Sequence, residues 1–353
     1  MNKGLAIIMG LLGLHVTTAC SQQNFSNADT EQFETLIDSP EVQLLDVRTA
    51  AEFSEGHLAG AINIDFKQNS FLENAKKQLD KTHQVAVYCR SGRRSANAAS
   101  QLAAEGFKVT NLLGGIVAWK AANKRVTTDN FEVDVFKTKN GKTVKIYALM
   151  HACIRMEIDG KQVLIDPVRK LGERTVDYST MPKADFLFVT HEHGDHFDKE
   201  ALAQLSNEGT VLVTNRRCAD MLGSGQVMAN GDKKQLSDIL AVEAVPAYNT
   251  TEGHTQFHPK GRDNGYVLTI DGLRIYIAGD TEDVPEMAQL KDIDIAFLPC
   301  NQPYTMTTEQ LLRAARVIKP QVLFPYHYSQ TDVSGIGEQL KADSIDVRIR
   351  KYQ

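Results

Sequence analysis

The sequence Phe186-Leu187-Phe188-Val189-Thr190-His191-Glu192-His193-Gly194-Asp195-His196-Phe197 runs from a short apolar segment straight into three histidines and an aspartate. An apolar run of this length, without polar alternation, suits a strand buried on both faces. Three imidazoles and a carboxylate at one strand end are costly to bring together unless a cation compensates them. Nitrogen and carboxylate donors together suit zinc, manganese or iron.

The segments around this cluster are rich in strands. Residues 144–158 and 162–166 are expected to pair around a turn at Asp159-Gly160. Further strands are expected at 186–190, 211–214, 239–247, 266–270, 274–278, 295–299 and 322–325, with helices at 199–205 and 308–318. Strands in such excess, with helices left outside, predict an αββα sandwich over residues 131–353.

The preceding part of the chain has a different rhythm. Strands expected at 42–47, 84–89 and 109–113 alternate with helices at 50–55, 95–105 and around Trp119. That alternation predicts an α/β unit over residues 35–123, its parallel sheet covered by helices on both faces. Residues 124–130 read as the linker and the polar residues 21–34 as a tether.

Cys89-Arg90-Ser91-Gly92-Arg93-Arg94-Ser95 leads from one of these strands into a helix N-terminus. Backbone amides, the helix dipole and the cationic Arg90, Arg93 and Arg94 all favour thiolate over thiol. Cys89 is therefore the candidate nucleophile, and the same cradle suits an anionic sulfur donor such as thiosulfate.

With these residues in view, residues 35–122 resemble a single-domain rhodanese. Leu45-Asp46-Val47-Arg48, Glu52-Phe53 and Gly56-His57-Leu58-Ala59-Gly60-Ala61-Ile62-Asn63 match the leading motif of that family, and Gly114-Gly115 with Trp119 the trailing one. The six-residue loop from Cys89 to Arg94 is similar to the sulfur-transferring branch. The resemblance implies that Asp46 and Arg48 brace the loop without taking part in chemistry.

The His/Asp cluster resembles the signature of the metallo-β-lactamase superfamily. That resemblance implies two divalent metal ions, zinc before manganese or iron. It implies His191, His193 and a third histidine on the first metal, Asp195, His196 and His327 on the second, and Asp280 between them. Phe257-His258-Pro259-Lys260-Gly261 favours His258 as the third histidine; Gly253-His254-Thr255 offers His254 instead. The half most resembles the branch that contains ascorbate-6-phosphate lactonase and the N-acylethanolamine-releasing phospholipase D. Those members cleave unlike bonds, so the likeness names no substrate.

Residues 1–20 carry Lys3, an apolar run from Leu5 to Leu14, and small residues before Cys20. They read as an export signal, and the cysteine gives it the look of a bacterial lipoprotein signal. The motif departs from the usual form in having Thr17 where leucine is common. Plain secretion and an uncleaved anchor are the alternatives. The expectation is a cell-envelope lipoprotein facing the periplasm, touching the membrane only through lipid on Cys20. Cys153, Cys218 and Cys300 read as buried filler, and the net charge of -5 gives no general attraction to nucleic acid.

The whole chain then reads as two enzymes. One takes sulfur from a small donor and passes it to a thiol or cyanide. The other hydrolyses a small-molecule ester, lactone, amide or phosphodiester. Two alternatives stay open: persulfide oxidation with a single iron, and a rhodanese used only for docking.

Overall fold

The computed structural model describes residues 24–128 and 131–352. The expected signal segment, Cys20, and residues 129–130 of the expected linker lie outside the described residues. Among the described residues, no helix is long and apolar enough to cross a membrane.

The first unit is a five-stranded parallel sheet of β1 (Ser26–Ala28), β2 (Val42–Asp46), β3 (Ile62–Asn63), β4 (Gln84–Tyr88) and β5 (Val109–Leu112), in the order β1-β5-β4-β2-β3. β4 lies at the centre and is buried on both faces, as its unbroken apolar run requires. Helices Phe71–Gln78 and Arg93–Ala104 pack on one face, with Phe71, Ala98 and Leu102 against Val85 and Val87. Phe33 and Trp119 cover the other face over Ala86 and Tyr88.

The expected tether is corrected here. β1 pairs with β5, and helix Thr30–Ile37 follows with Asp29 as its N-cap. Residues 26–34 thus belong to the parallel unit. The capping box of Asp29 with Gln32 was the local signal that marks this start.

The second unit holds two seven-stranded sheets. The first contains β6 (Glu132–Lys137), β7 (Thr143–Met150), β8 (Cys153–Ile158) and β9 (Lys161–Ile165), all antiparallel. It continues through β12 (Phe186–Val189), β13 (Val211–Thr214) and β14 (Gln226–Val227), all parallel. A small hairpin, β10 (Lys170–Leu171) with β11 (Arg174–Thr175), projects between β9 and β12. The second sheet repeats the plan. β15 (Lys233–Gln235), β16 (Leu240–Ala247), β17 (Asp263–Ile270) and β18 (Leu273–Ile277) are antiparallel. β19 (Ile295–Pro299), β20 (Val322–Tyr326) and β21 (Asp346–Val347) follow in parallel.

The inner faces meet in one core that includes Ile146, Ile154, Phe188, Tyr266, Ile275 and Phe297. Helices Lys199–Leu205 and Arg216–Leu222 cover the outside of the first sheet, and Thr308–Ile318 with Ile336–Leu340 the outside of the second. The order is αββα, as the sequence predicts. One expected element differs. Residues 144–158 form a hairpin rather than a single strand, and its turn is His151-Ala152.

The two units touch directly. Lys145 pairs with Asp38 at 2.6 Å and the Thr143 hydroxyl donates to the Asp38 carbonyl at 3.4 Å, while the linker residue Thr127 exchanges two backbone hydrogen bonds of 2.8 Å with His57. Within the first unit, Asp46 and Arg48 form a buried ion pair at 2.6 Å, and Arg48 also donates to the Gly56 carbonyl at 2.8 Å. Burying both charges is tolerable only because each satisfies the other. Replacing Arg48 with Met strands the Asp46 carboxylate. The expected result in a denaturant titration is a loss of about 3 kcal/mol confined to this unit, with the sandwich transition unchanged.

Candidate functional site

Strand ends build the metal site. β12 delivers His191, His193, Asp195 and His196; β18 delivers Asp280 two residues beyond Ala278; β20 delivers His327 directly. The long connection from β16 to β17 delivers His258. These ends lie at one edge of the sandwich, where strand carbonyl ends leave a natural crevice.

Two sets of donor atoms result, each within 4.8 Å among themselves. One joins His191, His193, His258 and Asp280; the other joins His151, Asp195, His196 and His327. Asp280 lies between the sets. One carboxylate oxygen is 3.4 Å from His258 Nε2 and 3.3 Å from His327 Nε2; the other is 3.2 Å from His196 Nε2. His196 Nε2, His258 Nε2, Asp280 Oδ1 and both ring nitrogens of His327 are buried without a hydrogen-bond partner among the described residues. An unmet buried donor or acceptor costs roughly 1–3 kcal/mol. Coordination to cations would satisfy these atoms together, with one nitrogen of each ring as the ligand, so the residues fit a two-metal site.

The electrostatics agree. Burial works against charge on His196 and His327, yet Asp280 leads the interactions that outweigh it, and both imidazoles hold their protons well above the usual range, His327 up to about 9. Burial also opposes charge on Asp280, but His196 and His327 keep it ionised. Burial pushes His191 and His193 the other way, so in the first set the imidazoles stay neutral and their nitrogens are free to bind a cation.

Two further carboxylates orient the imidazoles. Asp166 accepts from Thr190 N and Thr190 Oγ1 and lies 2.8 Å from His196 Nδ1. Asp263 lies 3.0 Å from His258 Nδ1 and is itself held by Arg262 at 2.8 Å. Each leaves Nε2 facing the metal position, the usual arrangement for a ligating histidine. His254 is absent from both sets and turns towards Glu282, 3.5 Å away. An open cleft of about 630 Å³ reaches both sets, with Phe257, Asn301, Tyr304 and Tyr352 among its walls.

In the parallel unit, Cys89 is buried at the floor of its loop. Burial opposes a thiolate there. The Ser95 hydroxyl, 3.3 Å from the sulfur, and the amides of Ser95, Ser91 and Gly92 outweigh it, so the thiol pKa falls below its ordinary value. Gly115 packs against this loop in a left-handed conformation (φ +58°), and a Cβ there would come within 2.4 Å of the Cys89 carbonyl. The expected role of the arginines is only partly met. Arg94 is near enough to feel the charge of the thiol but forks onto Glu52 at 2.6 and 2.7 Å, holding that carboxyl down to about 2. Arg90 and Arg93 are exposed, and amides rather than guanidinium groups lead the stabilisation of sulfur.

Residues 145–327, more than half of the chain, match the family described as the beta-lactamase superfamily domain. The chain belongs to the beta-lactamase superfamily. Residues 29–122 match the rhodanese-like domain. A UPF0173 metal-dependent hydrolase of Ligilactobacillus salivarius is 33% identical over 186 residues, which are 51% of this chain and 82% of that protein. A second, from Methanopyrus kandleri, is 30% identical over 195 residues, 52% of this chain and 84% of the relative. A crystal structure from Parabacteroides distasonis ATCC 8503 carries the description of a metal-dependent hydrolase. It shares 49% identity at a TM-score of 0.61, covering 63% of this chain and all of that one. Igni18, a metallo hydrolase from Ignicoccus hospitalis, shares 27% identity at a TM-score of 0.50, covering 58% and 94% of the two chains.

Within the beta-lactamase superfamily domain, His151 is a candidate metal donor that reading the sequence missed, as are the orienting carboxylates Asp166 and Asp263. His151 sits at a hairpin turn with its Nε2 3.2 Å from Asp195. Elemental analysis of the purified protein is expected to give about two metal ions per chain. Asp280→Ala should deplete both positions, His191→Ala chiefly the first, and His327→Ala chiefly the second. His151→Ala should weaken the second position about tenfold, and Asp263→Asn the first by about ten- to a hundredfold. Metal content indifferent to His327→Ala would refute the second position.

Proposed function

We propose that the chain is an exported two-domain enzyme, combining sulfane-sulfur transfer at Cys89 with metal-dependent hydrolysis at the His/Asp centre. The observation that carries the hydrolytic half is the Asp280 carboxylate between two sets of converging donor atoms, of which His196 Nε2, His258 Nε2 and His327 Nε2 are buried without a hydrogen-bond partner among the described residues. When bound, two divalent ions would supply Lewis acidity and a water nucleophile at neutral pH. His191, His193, His258 and Asp280 would hold one ion; His151, Asp195, His196 and His327 would hold the other, with Asp280 reaching both. Zinc suits this donor set, and manganese and iron share its preferences. Asp166 and Asp263 fix the rings, and the cleft admits a small-molecule ester, lactone, amide or phosphodiester.

A single-iron persulfide dioxygenase is the rival reading for the pair of domains. The complete second set of donors favours the hydrolase. A stoichiometric single iron with O₂ consumption would reverse that choice.

At the other site, the Cys89 thiolate would attack the outer sulfur of a donor such as thiosulfate. The S–S bond breaks, sulfite leaves with the electron pair, and Cys89 carries a persulfide. A thiolate or cyanide then takes the outer sulfur, and the electron pair of the second S–S bond returns to Cys89. The amide cradle that favours the thiolate supports this reading. Export rests on the apolar run before Cys20; intact mass of native protein should show residues 1–19 removed and lipid on Cys20, and an unmodified full-length N-terminus would refute it.

Cys89→Ser should abolish sulfur transfer from thiosulfate to cyanide and leave metal content unchanged. Because the pKa of Cys89 is lowered, its thiolate persists below the ordinary thiol range and protonates only as pH falls through the lowered value. The alkylation rate of Cys89 should therefore reach half-maximum below about pH 8.5. Ser95→Ala removes a hydrogen bond to sulfur and should shift that midpoint upward.

A further inference from the structure

We propose that the metal-site substrate carries an anionic group, a carboxylate or phosphate, and that Arg174 binds it. This inference rests on the hydrolase reading and adds a substrate class to it. Arg174 lies on β11 and lines the cleft together with Leu171 and Gly172 of the same hairpin. Its Nη2 donates to the carbonyls of Leu149 (3.4 Å) and Lys351 (3.2 Å). Those bonds fix the guanidinium without neutralising it.

Other partly buried arginines have a carboxylate each: Arg48 has Asp46, Arg155 has Glu157, Arg262 has Asp263, and Arg348 and Arg350 share Asp134. Arg174 has no such ion pair among the described residues. The carboxylates on the cleft wall are Asp195 and Asp280, both placed as metal donors. Burial disfavours the Arg174 cation, so an anion seated beside it would be favoured. A planar guanidinium on the cleft wall, without a carboxylate of its own among the described residues, matches an oxyanion.

The test compares cleavage of a neutral aryl ester, 4-nitrophenyl acetate, with its anionic counterpart, mono-4-nitrophenyl succinate, by the metal-loaded full chain. Wild type should prefer the anionic ester, and Arg174→Gln should lower the anionic-to-neutral ratio of kcat/KM by about tenfold or more, mainly through KM. Arg174→Lys, which keeps the charge, should retain part of the preference. In parallel, equilibrium dialysis should show succinate and inorganic phosphate each binding wild type, and the tighter of them names the oxyanion. Their affinities should fall about tenfold in Arg174→Gln with metal content retained. A wild-type preference for the neutral ester, or a ratio that Arg174→Gln leaves alone, would overturn the proposal. So would equal binding of both anions to wild type and variant. If neither ester is cleaved, the hydrolase reading fails, and the dialysis difference still decides the role of Arg174. If Arg174→Gln does not fold, the wild-type ratio and its fall in Arg174→Lys decide it.

Discussion

The Asp280 carboxylate is the constraint around which the sandwich is arranged. It is buried, and its two oxygens face imidazoles from three other chain segments. A carboxylate in such a place is tolerable only beside positive charge. Protons on His196 and His327 can supply that charge, and cations supply it better, because they also satisfy ring nitrogens left without partners. The fold serves this requirement by ending β12, β18 and β20 at one edge, so that a few residues beyond these strands place six of the donors, while the β7–β8 turn adds His151 and the β16–β17 connection His258.

Rigidity at that edge comes from carboxylates that do not face the cleft. Asp166 ties His196 to the amide and hydroxyl of Thr190, and so to the strand end that also carries His191. Asp263 opens β17 and is itself locked by Arg262. Each of these groups fixes a ring through Nδ1 and leaves Nε2 for a metal. The thiol site uses the same logic with other parts. Amides and one hydroxyl hold the sulfur, while Arg94 is restrained by Glu52 and cannot pair fully with the thiolate.

Much of this was legible because charge clusters and apolar runs are written in contiguous residues. The His191–His196 cluster and the Cys89–Ser95 loop each declare a strand end and its chemistry within one short segment. What escaped depends on contacts between distant segments. Asp166 looks like an ordinary residue after an apolar strand until parallel pairing of β9 with β12 sets it beside Thr190. Arg94 reads as a free cation until Glu52, 42 residues earlier, reaches it. His151 was hidden by its apolar neighbours: Leu149, Met150, Ala152 and Cys153 read as continuous strand, and the turn lacks the glycine or asparagine that usually marks one.

That turn shows what the sandwich must supply to position a donor. His151 and His327 both adopt the left-handed conformation, with φ of 54° and 48°, which costs a non-glycine residue on the order of 1 kcal/mol. A chain of backbone contacts holds them there: His151 N donates to the Tyr352 carbonyl at 2.8 Å, and His327 N approaches the His151 carbonyl at 3.4 Å. The tail carrying Tyr352 is in turn pinned to β6, where Arg348 and Arg350 close on Asp134 at 2.9 and 2.6 Å. Asp134 lies in the first sheet, while the tail follows from the second sheet. The second donor set is thereby tied to both layers at once. Separating the sheets, or loosening the tail, would release the strained backbone of two imidazoles before any donor itself was altered.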